Sequence, residues 1–158
     1  MINITIITLG KLKEKYWTDA EAEYIKRLSP FSKITFVELK EESFDEKAKP
    51  EMIKAKEAEK IIKTLEKKQG YVIALDSRGK DLSSVEIAGH IGTITTEGVN
   101  NIIFVIGGPL GLDDSILESA DFILSLSNLT FTHQMVRTIL LEQIYRSITI
   151  INNKKYHY

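Results

Sequence analysis

Residues 102–112, Ile-Ile-Phe-Val-Ile-Gly-Gly-Pro-Leu-Gly-Leu, constrain the fold of this chain more than any other segment. The segment begins with five apolar, mostly β-branched residues, which is typical of a strand buried on both faces of a sheet. Gly107, Gly108 and Pro109 then end the strand abruptly. In open α/β sheets, ligands bind just beyond the carboxyl end of such a strand. The segment therefore predicts a parallel sheet with a candidate ligand site after residue 106.

The glycine-rich turn lacks the pattern of a phosphate-binding loop, because no Lys-Ser or Lys-Thr pair follows its glycines. Without a Cβ, Gly107 and Gly108 would let the backbone approach a ligand closely. Asp113 and Asp114 open the next predicted helix, where carboxylates occupy the free N–H groups and would repel an anion. The turn therefore suits a neutral or cationic ligand. A tight turn that binds no ligand is the alternative, and this segment alone does not decide between them.

Hydrophobic periodicity predicts strands that alternate with helices along the 158-residue chain. The predicted strands are residues 2–9, 34–39, 71–75, 102–106 and 122–126, with a turn at 76–80. The predicted helices are residues 15–28, 51–68, about 84–96, 113–119 and 133–149. Ser83 or Ser84 is the predicted cap of the third helix, with Glu86 placed for a capping box. This alternation predicts an α/β fold in one domain, residues 1–158, with a mostly parallel sheet and helices on both faces.

Composition excludes several classes of protein. The chain has no cysteine, so it has no thiol nucleophile and no cysteine zinc site, and no other metal-ligand spacing stands out. A net charge of −1 argues against coating of nucleic acid by bulk charge. It does not exclude a local basic face, for which the N-terminal region supplies Lys11, Lys13, Lys15, Lys26 and Arg27. Residues 1–9 are neither a signal peptide nor a membrane span. We expect a cytoplasmic protein with no metal and no membrane partner.

Three predicted loops, residues 75–80, 107–112 and 126–132, follow consecutive strands. A parallel sheet would place all three at the same edge, where they could line one pocket. The third loop is rich in hydroxyl and backbone hydrogen-bonding groups, which could bind the edge of an adenine base. The alternative is a connector that only caps the last helix.

Several single residues could carry chemistry, but each has a structural interpretation. His133 begins the last predicted helix, where a capping or packing role is favoured over catalysis. Asp76 and Arg78 follow a strand end, where hydrogen bonding within a turn is favoured. Arg137 lies one helical turn after His133 and is typical of a salt-bridged helix face.

The C-terminal region has two features of its own. Residues 136–151 carry more apolar side chains than packing on one sheet face requires, which predicts a homodimer interface. Residues 152–158, Asn-Asn-Lys-Lys-Tyr-His-Tyr, are basic and aromatic, which suits stacking on a base and contact with phosphate. A plain charged tail is the alternative for this last segment.

Taken together, the motifs make the chain resemble the bacterial ribosomal RNA large-subunit methyltransferase H family, a SPOUT-class family, over essentially its whole length. The resemblance rests on Gly10-Lys11-Leu12-Lys13, residues 23–28, Leu75-Asp76, Gly79-Lys80, residues 105–109, Gly111-Leu112, residues 124–131, His133-Gln134, Val136-Arg137, residues 141–143, Tyr145-Arg146 and Tyr156-His157. The chain departs from the family at Thr132, where Pro is common, and at Tyr158, where Arg or Lys is usual.

The resemblance implies a SPOUT fold with a C-terminal trefoil knot, a homodimer, and S-adenosyl-L-methionine as methyl donor. It implies transfer of the methyl group to N3 of a pseudouridine in 23S rRNA, with the assembled ribosome as substrate. The residues that match the family's cofactor contacts are Leu75, Gly107, Leu126, Ser127, Asn128, Leu129, Thr130 and Phe131.

The tail residues Tyr156 and His157 are the candidate catalytic residues. His157 is the candidate base for the N3 proton, because imidazole titrates near neutrality. Asp76 and water are the alternatives. A related methyltransferase acting on a ribose 2′-OH or on transfer RNA, and a non-catalytic ribosome-binding factor, are the alternative functions.

Overall fold

The structure is a computed structural model that describes residues 1–43 and 45–156. Its elements along the chain are β1 (Ile2–Leu9), α1 (Lys15–Leu28), β2 (Ser32–Leu39), α2 (Pro50–Leu65), β3 (Tyr71–Asp81), α3 (Ser84–Thr96), β4 (Asn101–Ile106), α4 (Asp114–Ser119), β5 (Phe122–Ser125) and α5 (His133–Ile151). In this part of the chain all strands pair in parallel, in the order β2-β1-β4-β3-β5. The predicted parallel α/β sheet is therefore confirmed, whereas the trefoil knot stays a prediction.

Two hydrophobic clusters cover the two faces of the sheet. Ile102, Phe104 and Ile106 of β4 pack into the cluster formed with α1, α3 and α5. Ile103 and Val105 of the same strand pack into the cluster formed with α2 and α4. This explains why β4 is a continuous apolar run, since both faces of a strand that is covered by helices on each side must be apolar.

Local sequence signals set several helix boundaries. The Ser83 side chain accepts a hydrogen bond from the Glu86 backbone N–H at 3.3 Å, and the Glu86 carboxylate accepts one from the Ser83 backbone N–H at 2.8 Å. This reciprocal pair is the predicted capping box, and it starts α3. Helix α2 has Pro50 in its first turn, where the missing N–H costs no intrahelical hydrogen bond.

The predicted turn at residues 76–80 is wrong, because this segment lies inside β3. Leu75 and Lys80 both pair with Leu124 of β5, so the residues between them form a bulge that leaves the ladder and returns to it. The return requires Gly79, since a Cβ there would lie 2.6 Å from a backbone oxygen of β5. The polar composition of a bulge resembles that of a turn, which explains the wrong prediction.

The apolar residues of α5 mostly pack against other parts of the same chain. Leu140, Leu141, Ile144 and Ile148 are buried in the cluster on the α1–α3–α5 face of the sheet. Only Ile151, at the end of the helix, is strongly exposed among the apolar residues of α5. Packing against α1, α3 and the sheet accounts for much of the apolar excess of this helix. Val136, Ile139 and Tyr145 stay half-buried, so the homodimer interface stays a prediction.

Arg137 anchors α5 to the first half of the chain. It is 3% exposed and donates hydrogen bonds to Glu21 of α1, at 2.8 and 3.0 Å, and to Glu38 of β2, at 2.9 Å. Its guanidinium also lies 4.5 Å from the centre of the Phe36 ring. The predicted salt bridge is thus confirmed, and it is a buried network rather than a surface pair.

Candidate functional site

A cavity of about 240 Å³ lies at the carboxyl ends of β4 and β5 and beside the bulge of β3, where residues 75–77 line it. It is lined by residues from all three loops that the sequence placed at this edge, so the prediction that these loops meet is confirmed. The predicted cofactor residues that line it are Leu75, Gly107, Leu126, Ser127, Leu129, Thr130 and Phe131. The remaining one, Asn128, is exposed and is not part of the wall.

Hydrogen bonds within the third loop set which of its residues face the cavity. The Ser127 hydroxyl accepts a hydrogen bond from the Leu129 backbone N–H at 2.9 Å, and the buried Ser125 hydroxyl donates one to the Ser127 carbonyl at 3.3 Å. These bonds turn the chain at Asn128, so that this side chain lies outside the wall. Leu129 forms part of the rim and is 72% exposed.

The glycine-rich turn is closed on itself. The Gly111 N–H donates to the Gly108 carbonyl at 2.9 Å, and Gly111 adopts a φ of +82°. A Cβ on Gly107 would lie 2.9 Å from the Gly111 carbonyl carbon and 3.0 Å from the Leu112 nitrogen. From the sequence, we expect glycine at position 107 because a ligand would need the space. That reason is wrong. Glycine is needed there because the turn packs against its own backbone.

The two carboxylates at the start of α4 do not line the cavity. Asp113 is the N-cap of this helix and accepts a hydrogen bond from the Ser115 N–H at 3.0 Å. Asp114 is paired with Arg78 at 2.7 Å. The sequence argument that these groups would favour a cationic ligand is therefore not supported by their positions.

Asp76 lines the cavity but is held by Arg78. Its carboxylate accepts hydrogen bonds from the Arg78 backbone N–H at 2.9 Å and from Arg78 Nε at 2.8 Å. Burial of this carboxyl opposes its ionisation, but the hydrogen bonds and charge of Arg78 outweigh burial and hold the pKa of Asp76 below its usual value. Asp76 is thus an ionised structural residue and a weak base.

His133 has a position that the sequence did not indicate. It begins α5, but the helix is capped by Thr132, whose hydroxyl accepts a hydrogen bond from the Met135 N–H at 3.3 Å. The His133 side chain lines the cavity, and it also lines a second cavity next to it. The capping interpretation of His133 is therefore wrong. Pro109 is the other residue common to both cavities.

Tyr156, a candidate catalytic residue, packs along the side of α5. Its hydroxyl donates to Glu142 Oε1 at 3.3 Å, its ring meets Tyr145 edge-on with centroids 4.8 Å apart, and Arg146 lies 4.9 Å from the ring centre. Burial, together with a hydrogen bond between Tyr156 and Tyr24, raises the pKa of Tyr156 to about 12.

The packing of Tyr156 places it away from the cavity of its own chain. Glu142 lies nine residues after His133, which is roughly 14 Å along an α-helix. His157, the candidate base, lies outside the described residues, as does Tyr158.

Two further expectations concern a metal ion and a membrane. No group of three or more candidate metal ligands occurs in residues 1–43 and 45–156. No helix in the same ranges is long and apolar enough to cross a membrane.

Fold and site together define an α/β protein with a cavity at the carboxyl edge of a parallel sheet, lined by backbone, hydroxyl and apolar groups with Asp76 and His133. A family model described as "Predicted SPOUT methyltransferase" matches residues 2–157, and the chain belongs to this family. Membership implies a methyl-donor cofactor.

Relatives that match over nearly the full length carry a more specific name. Proteins named ribosomal RNA large subunit methyltransferase H from Finegoldia magna and Clostridium acetobutylicum are 48% and 45% identical to this chain over 159 residues, covering 99% of each chain. The corresponding protein of Alkaliphilus oremlandii is 47% identical over 160 residues, again covering 99% of both chains.

Solved structures share the fold at much lower identity. A structure described as a probable methyltransferase from Bordetella pertussis Tohama I has a TM-score of 0.56 and 17% identity, covering 92% of this chain and 95% of that chain. The tRNA (m1G37) methyltransferase from Aquifex aeolicus has a TM-score of 0.53 and 11% identity, covering 90% of this chain and 69% of its own. These likenesses concern the fold alone.

Proposed function

We propose that this chain, as one SPOUT methyltransferase domain over residues 1–158, methylates N3 of a pseudouridine in 23S rRNA with S-adenosyl-L-methionine as donor. The observation that carries the proposal is the cavity at the carboxyl edge of the sheet, in a chain whose named relatives are ribosomal RNA methyltransferases at 45–48% identity. An enzyme that acts on assembled ribosomes would work in the cytoplasm.

The cavity wall suits a cofactor without phosphate groups. Leu75, Ile106 and Leu126 supply apolar surface, and Ser127 and Thr130 supply hydrogen-bonding groups. No lysine or arginine is among the described residues of the wall, so a phosphate-bearing cofactor would have no cationic partner there. S-adenosylmethionine carries adenine, ribose and an amino acid but no phosphate, and it therefore fits this wall better than a nucleotide does.

The chemistry asked of the chain is mainly positioning. When bound, S-adenosylmethionine supplies an electrophilic methyl group on a sulfonium sulfur. Alignment of that group with the acceptor atom can lower the barrier by roughly 7–11 kcal/mol. The loops at residues 107–112 and 126–132 would provide this alignment, because their own hydrogen bonds fix their shapes.

The N3 proton must also leave. Asp76 is a poor acceptor because Arg78 stabilises its ionised form. The raised pKa of Tyr156 keeps its hydroxyl neutral near pH 7, so Tyr156 would stack or donate a hydrogen bond rather than accept the proton. His157, with bound water as the alternative, is the proposed base.

A homodimer would bring these tail groups to the cofactor. Tyr156 is packed against α5 and away from the cavity of its own chain. This packing supports a composite site, in which the tail of one subunit meets the target base beside the cavity of the other.

Calorimetry with S-adenosylmethionine tests the cofactor site. Leu126 and Leu117 are both half-buried leucines that pack against the edge of a core cluster, but only Leu126 lines the cavity. Leu126→Ala should weaken binding about tenfold or more, because the lost apolar contact is worth about 1.5–3 kcal/mol. Leu117→Ala should bind as tightly as the wild type.

Equal affinities of the two variants would place the cofactor elsewhere. Wild-type protein that shows no binding at all would contradict the enzyme and favour the alternative of a non-catalytic ribosome-binding factor. Thermal unfolding of both variants checks that each is folded at the temperature of the titration.

A further inference from the structure

A second cavity of about 820 Å³ adjoins the first at the same edge of the sheet. Its walls come from the loop that joins β1 to α1 and from the loop that joins β2 to α2. Pro109 and His133 belong to the walls of both cavities, so the two spaces are neighbours. A molecule in the second cavity would therefore lie next to whatever occupies the first.

The second cavity has the cationic groups that the first one lacks. Lys11, Lys13 and Lys40 line it, and all three are exposed. None of the ion pairs found among the described residues uses these three ammonium groups. They are thus available to an anionic ligand.

Two of the three acidic residues of this wall form ion pairs with cations that lie outside it. Glu38 is paired with the buried Arg137 at 2.9 Å, and Glu42 is paired with Lys60. Glu41 lies against Gly10 and is the acidic residue of the wall for which the described residues supply no ion pair. The three lysines are therefore the cations of this wall that no ion pair holds, whereas two of its three carboxylates are already held by cations of the protein.

The loop that carries two of these lysines is fixed relative to the cofactor cavity. The Lys13 backbone N–H donates a hydrogen bond to Gln134 Oε1 at 3.1 Å. Gln134 directly follows His133 in the first turn of α5. This bond holds the backbone of the loop with Lys11 and Lys13 beside the wall that both cavities share.

We propose that this second cavity, which we call the lysine cavity, receives the RNA strand that carries the target base. Lys11, Lys13 and Lys40 contact its phosphodiester groups, and the target base passes Pro109 and His133 to reach the methyl donor. The inference rests on the proposed function. It assigns the cofactor to the wall without lysine or arginine and the polyanionic substrate to the wall with three lysines. Phosphate contacts of this kind position a nucleic acid without reading its sequence.

Ribosome binding by a matched pair of double variants tests the proposal. Lys11→Gln/Lys13→Gln removes two charges from the lysine cavity. Lys67→Gln/Lys68→Gln removes two charges at the opposite edge of the sheet, where Lys68 lies beside Asn101 at the start of β4. The substrate is ribosomes from a strain that lacks this gene, and affinity is measured over a range of salt concentrations.

The first variant should bind ribosomes at least tenfold more weakly near physiological salt, whereas the control should bind like the wild type. The slope of log affinity against log salt should shrink in magnitude by roughly 1.4–1.8, since each lost phosphate contact contributes about 0.7–0.9. S-adenosylmethionine affinity should be unchanged in both variants. Lys11→Arg/Lys13→Arg, which keeps the charge, should restore ribosome binding.

Two results would overturn the proposal while the proposed function stands. One is a first variant that binds ribosomes like the control. The other is weaker binding with an unchanged salt slope, which would assign the lysines to contact with ribosomal protein. A wild-type protein that binds neither S-adenosylmethionine nor ribosomes would instead contradict the proposed function itself.

Chemical footprinting provides a measurement that needs no variant. Acetylation of surface lysines in the wild-type protein should be slowed at Lys11, Lys13 and Lys40 by added ribosomes. It should be unaffected by S-adenosylmethionine alone, and Lys67 should be acetylated at the same rate throughout. Equal acetylation of Lys11 and Lys67 in the presence of ribosomes would contradict the lysine cavity as the RNA site.

Discussion

At the scale of single residues, glycines have different roles in this chain. A Cβ on Gly107 would meet the backbone of its own turn at 2.9 Å, whereas a Cβ on Gly89, inside α3, would have no atom within 4 Å. The sequence places Gly107 in a turn after a strand and Gly89 inside a helix, but it does not show what a side chain would meet at either position. The difference comes from the closed turn between Gly108 and Gly111 at the cofactor cavity.

Alanine substitutions should separate these two roles. Gly107→Ala should lower both the free energy of unfolding and S-adenosylmethionine affinity, because the turn must open to make room for the alanine side chain. Gly89→Ala should raise the free energy of unfolding by about 0.5–1 kcal/mol, since alanine favours an open helix position. Urea unfolding and calorimetry measure the two effects. A Gly107→Ala variant as stable as the wild type would show that the turn is not closely packed.

At the scale of elements, the Arg137 network is the contact that joins α5 to α1 and β2. Arg137 is 3% exposed and Glu21 is 13% exposed at its side chain, so removing the cation would leave a largely buried carboxylate without its partner. The exposed pair Lys15–Asp19 within α1 is the opposite case, with both side chains mostly in solvent.

Arg137→Met should therefore lower the free energy of unfolding by about 3–5 kcal/mol. Lys15→Met, which removes a cation from the exposed pair, should cost about 0.5 kcal/mol or less. Urea denaturation of both variants measures the difference. Similar losses in the two variants would mean that the buried network contributes no more than a surface pair.

The elements also show how far the sequence determines the fold. The buried run of β4 and the capping box of α3 are local signals, and both were predicted correctly. The bulge in β3 was not predicted, because it depends on how closely the backbone at Gly79 approaches β5. The apolar residues of α5 could not be assigned to the core or to an interface, since the sequence does not show that α1 and α3 cover them.

In the candidate site, too, some features could be predicted from the sequence and others depend on contacts that the sequence does not show. The three loops were predicted to meet because strand ends in a parallel sheet share an edge. The sequence did not indicate that Asn128 lies outside the wall, because hydrogen bonds of Ser127 determine this. The sequence also gave no signal that His133 belongs to the walls of both cavities. It gave none for the lysine cavity, because that cavity is formed by two loops that lie far apart in the chain.

At the scale of the whole molecule, the account requires two subunits for one complete site. Tyr156 packs on its own α5 and away from its own cavity, so the tail would serve the cavity of the other subunit. A chain that lacks residues 154–158 should keep its S-adenosylmethionine affinity but methylate ribosomes slowly.

Mixed subunits should restore activity. When the tail-deleted chain is mixed with the Leu126→Ala chain, some dimers combine an intact cavity from the first with an intact tail from the second. The mixture should then methylate ribosomes faster than the sum of the two separate proteins. Additive rates, or sedimentation as a monomer at micromolar concentration, would contradict the composite site.

The central claim is the identity of the methylated atom, and mass mapping of ribosomal RNA tests it most directly. Ribosomes from a strain that lacks the gene are incubated with the purified protein and S-adenosylmethionine, and the digested 23S rRNA is sequenced by mass spectrometry. The account predicts one added methyl group, carried on the base of a pseudouridine at N3. A methyl group on a ribose, one transferred only to transfer RNA, or no transfer at all would contradict it.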